Sequence, residues 1–115
     1  MHPATMMDEI EELAEIFKAL SDPTRLRLVK LLSDQTPGGC PGECNSRRFL
    51  CVNALAHRLG VTQSAVSQHL RVLRQAGLVQ GERHGSFVHY SLDKDGLEKY
   101  QAALRETLGE DFATG

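Results

Sequence analysis

The apolar positions of residues 52–59 repeat at intervals of three and four, which is the spacing of one helix face. The face predicted to be buried consists of Val52, Leu55, Ala56 and Leu59. Gly60 can adopt the left-handed conformation that ends a helix. The next helix is then predicted to begin within three or four residues, with a side-chain oxygen of Thr62 or Ser64 as its N-cap.

A second helix is predicted after this short turn, and its two faces differ in character. Its apolar positions, which must face the core, are Val66, Leu70 and Leu73. Its outward positions are Gln63, Ser64, Ser67, Gln68 and Arg71. Two helices at a steep angle form a helix-turn-helix, and Gln, Ser and Arg hydrogen-bond to base edges in the major groove of DNA. The outward face is therefore predicted to contact DNA.

A β-hairpin is predicted after Gly77, because residues 78–83 and 86–91 alternate or run apolar with β-branched and aromatic members. Gly85 marks a tight turn between them. The hairpin forms a wing, and the residues at its tip that are predicted to contact DNA are Arg83 and His84. A winged helix-turn-helix can instead serve as a protein-interaction module, but the arginines of these elements favour DNA.

The two ends of the chain also carry helical stripes of apolar residues. The first stripe is Ile10, Leu13, Phe17 and Leu20, and the last is Leu97, Tyr100, Leu104 and Leu108. Pro23 starts a further helix over residues 24–33. The expected fold is mainly α with a small β-hairpin, in the order α-α-α-α-β-β-α. Residues 1–115 form a single winged helix-turn-helix domain in this prediction.

Some segments are expected to lie outside regular structure. Residues 1–8 and 110–115 are expected to be disordered, and residues 35–50 form a loop rich in Cys, Gly and Pro. The compact helix-turn-helix is too small to cover both terminal stripes, so they are expected to pair with a second copy as a homodimer. Two recognition helices related by a two-fold axis meet major grooves about 34 Å apart, so the expected partner is double-stranded operator DNA with an inverted repeat.

Composition agrees with a small intracellular domain. The chain has 115 residues, of which 41% are hydrophobic, and it contains no apolar run long enough for a membrane span. Its acidic N-terminus does not resemble a secretory signal, which predicts a cytoplasmic protein without a membrane partner. The net charge of -2 divides into -4 for residues 1–20, +5 for residues 21–91 and -3 for residues 92–115. The predicted DNA-binding part is thus the basic part.

The three cysteines form a separate candidate site. Cys40 and Cys44 lie in the predicted loop, and Cys51 lies at the start of the helix that precedes the recognition helix. In a reducing compartment an odd number of thiols indicates metal binding or reactivity rather than a disulfide framework. Three thiolates suit a thiophilic centre, and trigonal coordination suits trivalent arsenic or antimony. Such an ion is the expected inducer, with all three cysteines as ligands.

Other interpretations of the cysteines remain open. Cys40 and Cys44 could form a disulfide or polysulfide bridge, with Cys51 as a further exposed, reactive thiol. Other soft metals, an iron-sulfur cluster with a fourth ligand from elsewhere, or incidental loop cysteines are further alternatives. A thiol oxidoreductase is disfavoured because the spacing is CxxxC and not CxxC, so no enzymatic activity is expected.

Three stretches resemble the ArsR/SmtB family of winged-helix repressors over about residues 10–108. They are FKALSDPTRLRLVKLL at 17–32, LAHRLGVTQSAVSQHLRVLRQAGLV at 55–79 and GERHGSFVHYSLD at 81–93. The resemblance implies dimers that block transcription until an inducer releases them from the promoter. Positions that match the recognition helix of the family are Gln63, Ser64, Ser67 and Gln68.

The resemblance also bears on the sensing site. The arsenic-sensing pattern of the family reads Cys-Val-Cys, whereas this chain has Cys51-Val52-Asn53. The resemblance therefore implies that Cys40 and Cys44 replace the missing thiol. Family members that sense zinc, cobalt or nickel use Asp and His on the final helix. Residues 95–110 contain no histidine, so that site is not expected here.

Overall fold

The computed structural model describes residues 4–34 and 50–109. Its elements are α1 (Ala4–Leu20), α2 (Pro23–Asp34), β1 (Leu50–Cys51), α3 (Val52–Leu59), α4 (Gln63–Gln75), β2 (Val79–His84), β3 (Phe87–Leu92) and α5 (Lys94–Leu108). The order of helices and the hairpin confirm the predicted winged helix-turn-helix. α1 begins at Ala4, inside the segment for which disorder was expected.

Strand β1 was not predicted, because two residues are too few to show a periodicity. It pairs antiparallel with β3, so that Leu50 is opposite Tyr90 and Cys51 is opposite His89. β2 pairs with the other edge of β3, which gives a three-stranded sheet in the order β1-β3-β2. The sheet therefore joins the wing directly to the start of α3, and Leu50 belongs to it and not to a loop.

The core lies where α2, α3 and α4 meet the sheet. Its largest fully buried side chains are Leu28, Leu32, Leu55, Leu70, Leu73, Leu78 and Val66. They include the three residues of α4 that were predicted to face inward. Burial of each such side chain contributes about 1.5–3 kcal/mol, so the apolar face of α4 holds that helix on the body of the domain.

The terminal helices pack against each other, and Lys99 on α5 lies 3.1 Å from a carboxylate oxygen of Glu12 on α1. The domain was expected to be too small to cover both apolar stripes, but one protomer does cover part of each. Leu13 is buried within the protomer, and Leu97 and Tyr100 pack against its core. The apolar residues of the two stripes that remain about half exposed are Ile10, Phe17 and Leu108.

Two hydrogen bonds attach α5 to the residues that follow α4, and a third caps the start of α5. Asp93 accepts a bond of 3.1 Å from the N–H of Gly96, and its own N–H donates to the carbonyl of Leu78 at 2.9 Å. The hydroxyl of Tyr100 donates to the carbonyl of Ala76 at 2.6 Å. No helix within residues 4–34 and 50–109 is long and apolar enough to cross a membrane.

Candidate nucleic-acid interface

The turn between α3 and α4 sets the position of the candidate recognition helix. Gly60 has φ +69°, and its N–H and that of Val61 donate to the carbonyl of Ala56 at 2.9 and 3.2 Å. The left-handed conformation of Gly60 thereby provides hydrogen-bond donors for a backbone carbonyl in the last turn of α3. Thr62 Oγ1 accepts a 3.0 Å bond from the N–H of Ala65, so Thr62 is the N-cap of α4 among the two predicted candidates.

The outward face of α4 is exposed, as predicted. Its residues are Gln63, Ser64, Ser67, Gln68 and Arg71, and Arg74 continues the same side of the helix. The opposite side of α4 is buried at Val66, Leu70 and Leu73. α4 therefore presents short hydrogen-bonding side chains near its N-terminus and guanidinium groups toward its C-terminus. This combination can hydrogen-bond to base edges and attract phosphates.

Gln63 is held by a residue that sequence reasoning missed. Its Nε2 donates a hydrogen bond of 2.9 Å to Oδ1 of Asn53 on α3. This bond restrains the side chain of Gln63 and leaves its amide oxygen as an acceptor. The sequence did contain a signal for this contact, because Asn53 is polar and lies next to Val52 on the apolar face of α3.

A polar cluster joins α4 to the junction of α1 and α2. Arg25 Nη1 lies 3.2 Å from His69 Nδ1, and Arg25 Nε donates to the carbonyl of Ala19 at 2.5 Å. His69 Nε2 lies 4.0 Å from a carboxylate oxygen of Asp22. A neutral His69 with its proton on Nε2 can accept from Arg25 while it faces Asp22. No sequence signal paired His69 with Arg25, which lies 44 residues away.

Asp22 is the part of this cluster for which a pH effect is expected. The hydrogen bond from the backbone N–H of Arg25 is the main cause that holds the pKa of Asp22 below its ordinary value of 3.8. A depressed folded-state pKa stabilises the fold above the unfolded pKa, and this contribution is lost as pH falls through the folded value. We expect Asp22→Asn to unfold at a lower urea concentration than the wild type at pH 7.

Urea titrations at several pH values test this expectation. The midpoint urea concentrations of Asp22→Asn and the wild type should become more similar as the pH is lowered from 7 to 3. Asp34→Asn, at the exposed end of α2, is the matched control. Its surface pair with Lys30 should contribute at most about 1 kcal/mol. A difference for Asp22→Asn that stays constant over this pH range would contradict the role given to its carboxylate.

The wing places Arg83 near its tip. Arg83 is exposed on β2 opposite Val88, two residues before Gly85, which has φ +63° in the turn. His84 is the last residue of β2, and its side chain is outside the described part of the structure. Contact of these wing residues and of the α4 face with DNA remains a prediction.

The cysteines are described only in part. Cys51 is the N-cap residue of α3 and also the second residue of β1, and only 4% of it is exposed. The expectation of an exposed thiol is therefore wrong, because β1 carries Cys51 into the core. Cys40 and Cys44 lie outside the described residues. Within residues 4–34 and 50–109, no group of three His, Cys, Asp or Glu side chains could hold a metal ion.

Known proteins resemble this chain in sequence and fold. A family model described as "Bacterial regulatory protein, arsR family" matches residues 46–80. The chain is 42% identical over 86 residues to a Synechocystis protein named transcriptional repressor SmtB homolog, covering 75% of this chain and 55% of that protein. It is 34% identical over 103 residues to the arsenic resistance transcriptional regulator ArsR1 of Pseudomonas putida, with coverages of 90% and 71%.

A solved structure agrees with these relatives. The crystal structure of a possible transcriptional regulator for arsenical resistance superimposes with a TM-score of 0.63 at 34% identity, and the match covers 85% of this chain and 88% of that one. The capped turn, the exposed polar side of α4 and the wing are thus found together with sequence similarity across most of the chain. The chain belongs to the ArsR family of bacterial regulatory proteins.

Proposed function

We propose that the protein is a sequence-specific transcriptional repressor that leaves its operator when a thiophilic inducer binds. The observation that carries this proposal is the exposed polar side of a helix whose apolar side is fixed in the core. Membership of a family of DNA-binding regulators supports it. The protein has no catalytic role in this proposal.

In this proposal the exposed side of α4 contacts base edges and also contributes positive charge toward the DNA backbone. Ser67 and Gln68 hydrogen-bond to base edges in the major groove, together with Gln63 and Ser64 near the start of the helix. Arg71 contributes positive charge on the same side, and Arg83 and His84 on the wing contact the DNA backbone. Base contacts determine sequence preference, whereas phosphate contacts contribute affinity for any sequence.

Substitution of Gln68 or Ser67 by alanine tests whether these residues hydrogen-bond to base edges. We expect each variant to lose about 1–3 kcal/mol of operator affinity and to accept more sequences at one operator position. Fluorescence anisotropy gives the affinity, and selection from randomised DNA gives the preference. Gln101→Ala, an exposed change on α5, is the matched control and should leave both unchanged. Unaltered sequence preference in both variants of α4 would rule out base reading by these residues.

The protein acts as a homodimer in this proposal. Ile10 and Phe17 on α1 and Leu108 on α5 are about half exposed, and the two helices that carry them are in contact. A second copy that covers these side chains would remove an apolar surface from water. It would also pair two recognition helices for an inverted repeat.

Sedimentation velocity at micromolar concentration tests the dimer. We expect the mass of two chains for the wild type and a shift to the monomer for Phe17→Glu, because a buried carboxylate at the interface would be costly. Leu26→Glu is the control, since Leu26 is equally exposed but lies on α2. Its mass should match that of the wild type. A wild-type protein that sediments as a monomer would contradict the proposed assembly.

The proposed inducer is trivalent arsenic or antimony, bound by the thiolates of Cys40, Cys44 and Cys51. The position of Cys51 supports a link to DNA binding, because this residue joins β1, which pairs with the wing strand β3, to the start of α3. A ligand that moves Cys51 would act on the wing and on the helix-turn-helix together. It shifts DNA affinity only as far as it prefers the released state. The name of the Pseudomonas putida relative supports arsenic.

Another soft metal, or a redox switch through a Cys40–Cys44 bridge, is the second candidate. The burial of Cys51 bears on the redox alternative, since oxidants reach exposed thiols most readily. A redox switch would therefore depend on Cys40 and Cys44. Metal binding at Cys51 requires β1 to shift enough to admit the ion.

A further inference from the structure

A hydrogen bond joins the start of α3 to the start of α4. Asn53 is the second residue of α3, and Gln63 is the first residue of α4. Nε2 of Gln63 donates to Oδ1 of Asn53 at 2.9 Å, and both residues are exposed. The cap at Thr62 fixes the backbone from which the side chain of Gln63 extends. The amide of Gln63 is therefore held by a neighbouring helix while it remains accessible to a ligand.

This bond selects one of the two orientations of the Gln63 amide. Rotation of a glutamine amide by about 180° exchanges its oxygen, an acceptor, for its NH2 group, a donor. Oδ1 of Asn53 has no hydrogen to donate, so it holds Nε2 of Gln63 and leaves Oε1 turned away from Asn53. Nε2 has a second N–H that this bond does not use. The accessible side of the Gln63 amide thus offers one acceptor and one donor in a fixed order.

The fixed order of acceptor and donor matches adenine in the major groove. Adenine presents its N6 amino group, a donor, beside N7, an acceptor, and a glutamine amide binds both. Guanine presents O6 and N7, which are both acceptors. O6 of guanine would face Oε1 of Gln63 with no hydrogen between the two oxygens. Guanine is accepted only if the amide rotates, and that rotation breaks the bond to Asn53.

We propose that Asn53 is a positioning residue that makes Gln63 select adenine and reject guanine at one position of each operator half-site. The proposal deepens the proposed DNA-binding function and rests on it. An operator with adenine at this position should bind about 5- to 150-fold more tightly than the same operator with guanine there. Removal of the Asn53 amide should reduce that ratio about 2- to 12-fold, which corresponds to one hydrogen bond.

Selection from randomised DNA with the wild type and with Gln63→Ala locates the base pair, because the position that Gln63 reads loses its preference in the variant. Fluorescence anisotropy then gives the affinities for two operators with adenine or guanine at that position of one half-site. We expect Asn53→Ala to bring the two affinities closer. Asn53→Asp should keep the wild-type ratio, since a carboxylate oxygen accepts the same hydrogen bond. Binding to random DNA measures any uniform loss of affinity that the added charge causes.

A double-mutant cycle separates this positioning role from a general effect on α3. Asn53→Ala should leave the ratio of the two affinities unchanged in the Gln63→Ala background, because no amide remains to be positioned. His57→Ala, another exposed change on α3, is the control and should keep the wild-type ratio. Thermal melting verifies that each variant is folded.

A folded Asn53→Ala protein with the wild-type ratio of affinities would overturn the proposal. A preference for guanine at this position would overturn it as well, because the amide of Gln63 would then have the opposite orientation. The same holds if selection with Gln63→Ala returns the wild-type sequence. In each case the wild type still prefers its operator to random DNA, so the proposed repressor function stands. A wild type without any preferred sequence would overturn that function and this proposal together.

Discussion

Gly96→Ala should unfold at a markedly lower urea concentration than the wild type. An added Cβ would collide with the carbonyl oxygen of Gly77, which is backbone and cannot rotate away like a side chain. Overpacking of this kind costs about 1–3 kcal/mol. It opposes the gain of about 0.5–1 kcal/mol that alanine usually brings to a helix interior. The clash should dominate, and urea unfolding followed by circular dichroism measures the net effect.

Gln101→Ala in the same helix is the control for Gly96→Ala. Its side chain is exposed, so we expect a change within about 0.5 kcal/mol. Gly96 on α5 packs closely against the backbone of Gly77, just after α4. The hydroxyl of Tyr100 on α5 also donates a hydrogen bond to the carbonyl of Ala76 in this region. A Gly96→Ala protein more stable than the wild type would show that these two segments can separate without cost.

Arsenite should release the wild-type protein from its operator but should not release Cys51→Ser. Coupling between two ligands is typically about 1–3 kcal/mol, so the wild-type affinity should fall about 5- to 150-fold. Serine replaces the thiolate with a hydroxyl, which is a poor ligand for a soft centre. Fluorescence anisotropy of the reduced protein, titrated with arsenite and antimonite, measures the release.

The operator affinity of Cys51→Ser without inducer is the internal control, and it should stay near the wild-type value. Cys51→Ala should behave in the same way, which separates the loss of the thiol from the burial of a hydroxyl in the core. Arsenite release that survives in both variants would exclude Cys51 as a ligand. Release of the wild type by polysulfide or an oxidant alone would instead identify a redox switch.

Much of the DNA-binding half could be predicted because its signals are local. The bounds of α3 follow from its three- and four-residue spacing and from Gly60, which does have the left-handed conformation. The buried side of α4 follows from the spacing of its apolar residues, and the exposed side follows as its complement. Local capping also identified Thr62 as one of two candidates. These features depend on neighbours only a few residues apart.

The remainder depends on contacts between distant segments. β1 has two residues, and it is a strand only because β3 lies beside it. The burial of Cys51 follows from that pairing, which is why an exposed thiol was expected from the sequence. Likewise, Arg25 and His69 become partners only when α4 packs on the α1–α2 junction. No periodicity or local motif encodes these contacts.

The terminal helices show the same limit. Their apolar stripes were correctly placed on helices, but helical spacing alone does not reveal which partner covers them. α1 and α5 contact each other within one chain, and that chain also buries Leu13. Only part of each stripe, such as Phe17, remains for a second copy. The proposed dimer surface is therefore smaller than the sequence pattern indicated.

Hydroxyl-radical footprinting of the reduced protein on DNA selected from a random pool tests the central claim most directly. We expect two protected half-sites in inverted orientation, with centres about 10–10.5 base pairs, or a multiple of that distance, apart. This result would establish sequence-specific binding by two recognition helices related by a two-fold axis. A single protected half-site would contradict binding as a homodimer. If the random pool yields no preferred sequence, the result would contradict a sequence-specific repressor.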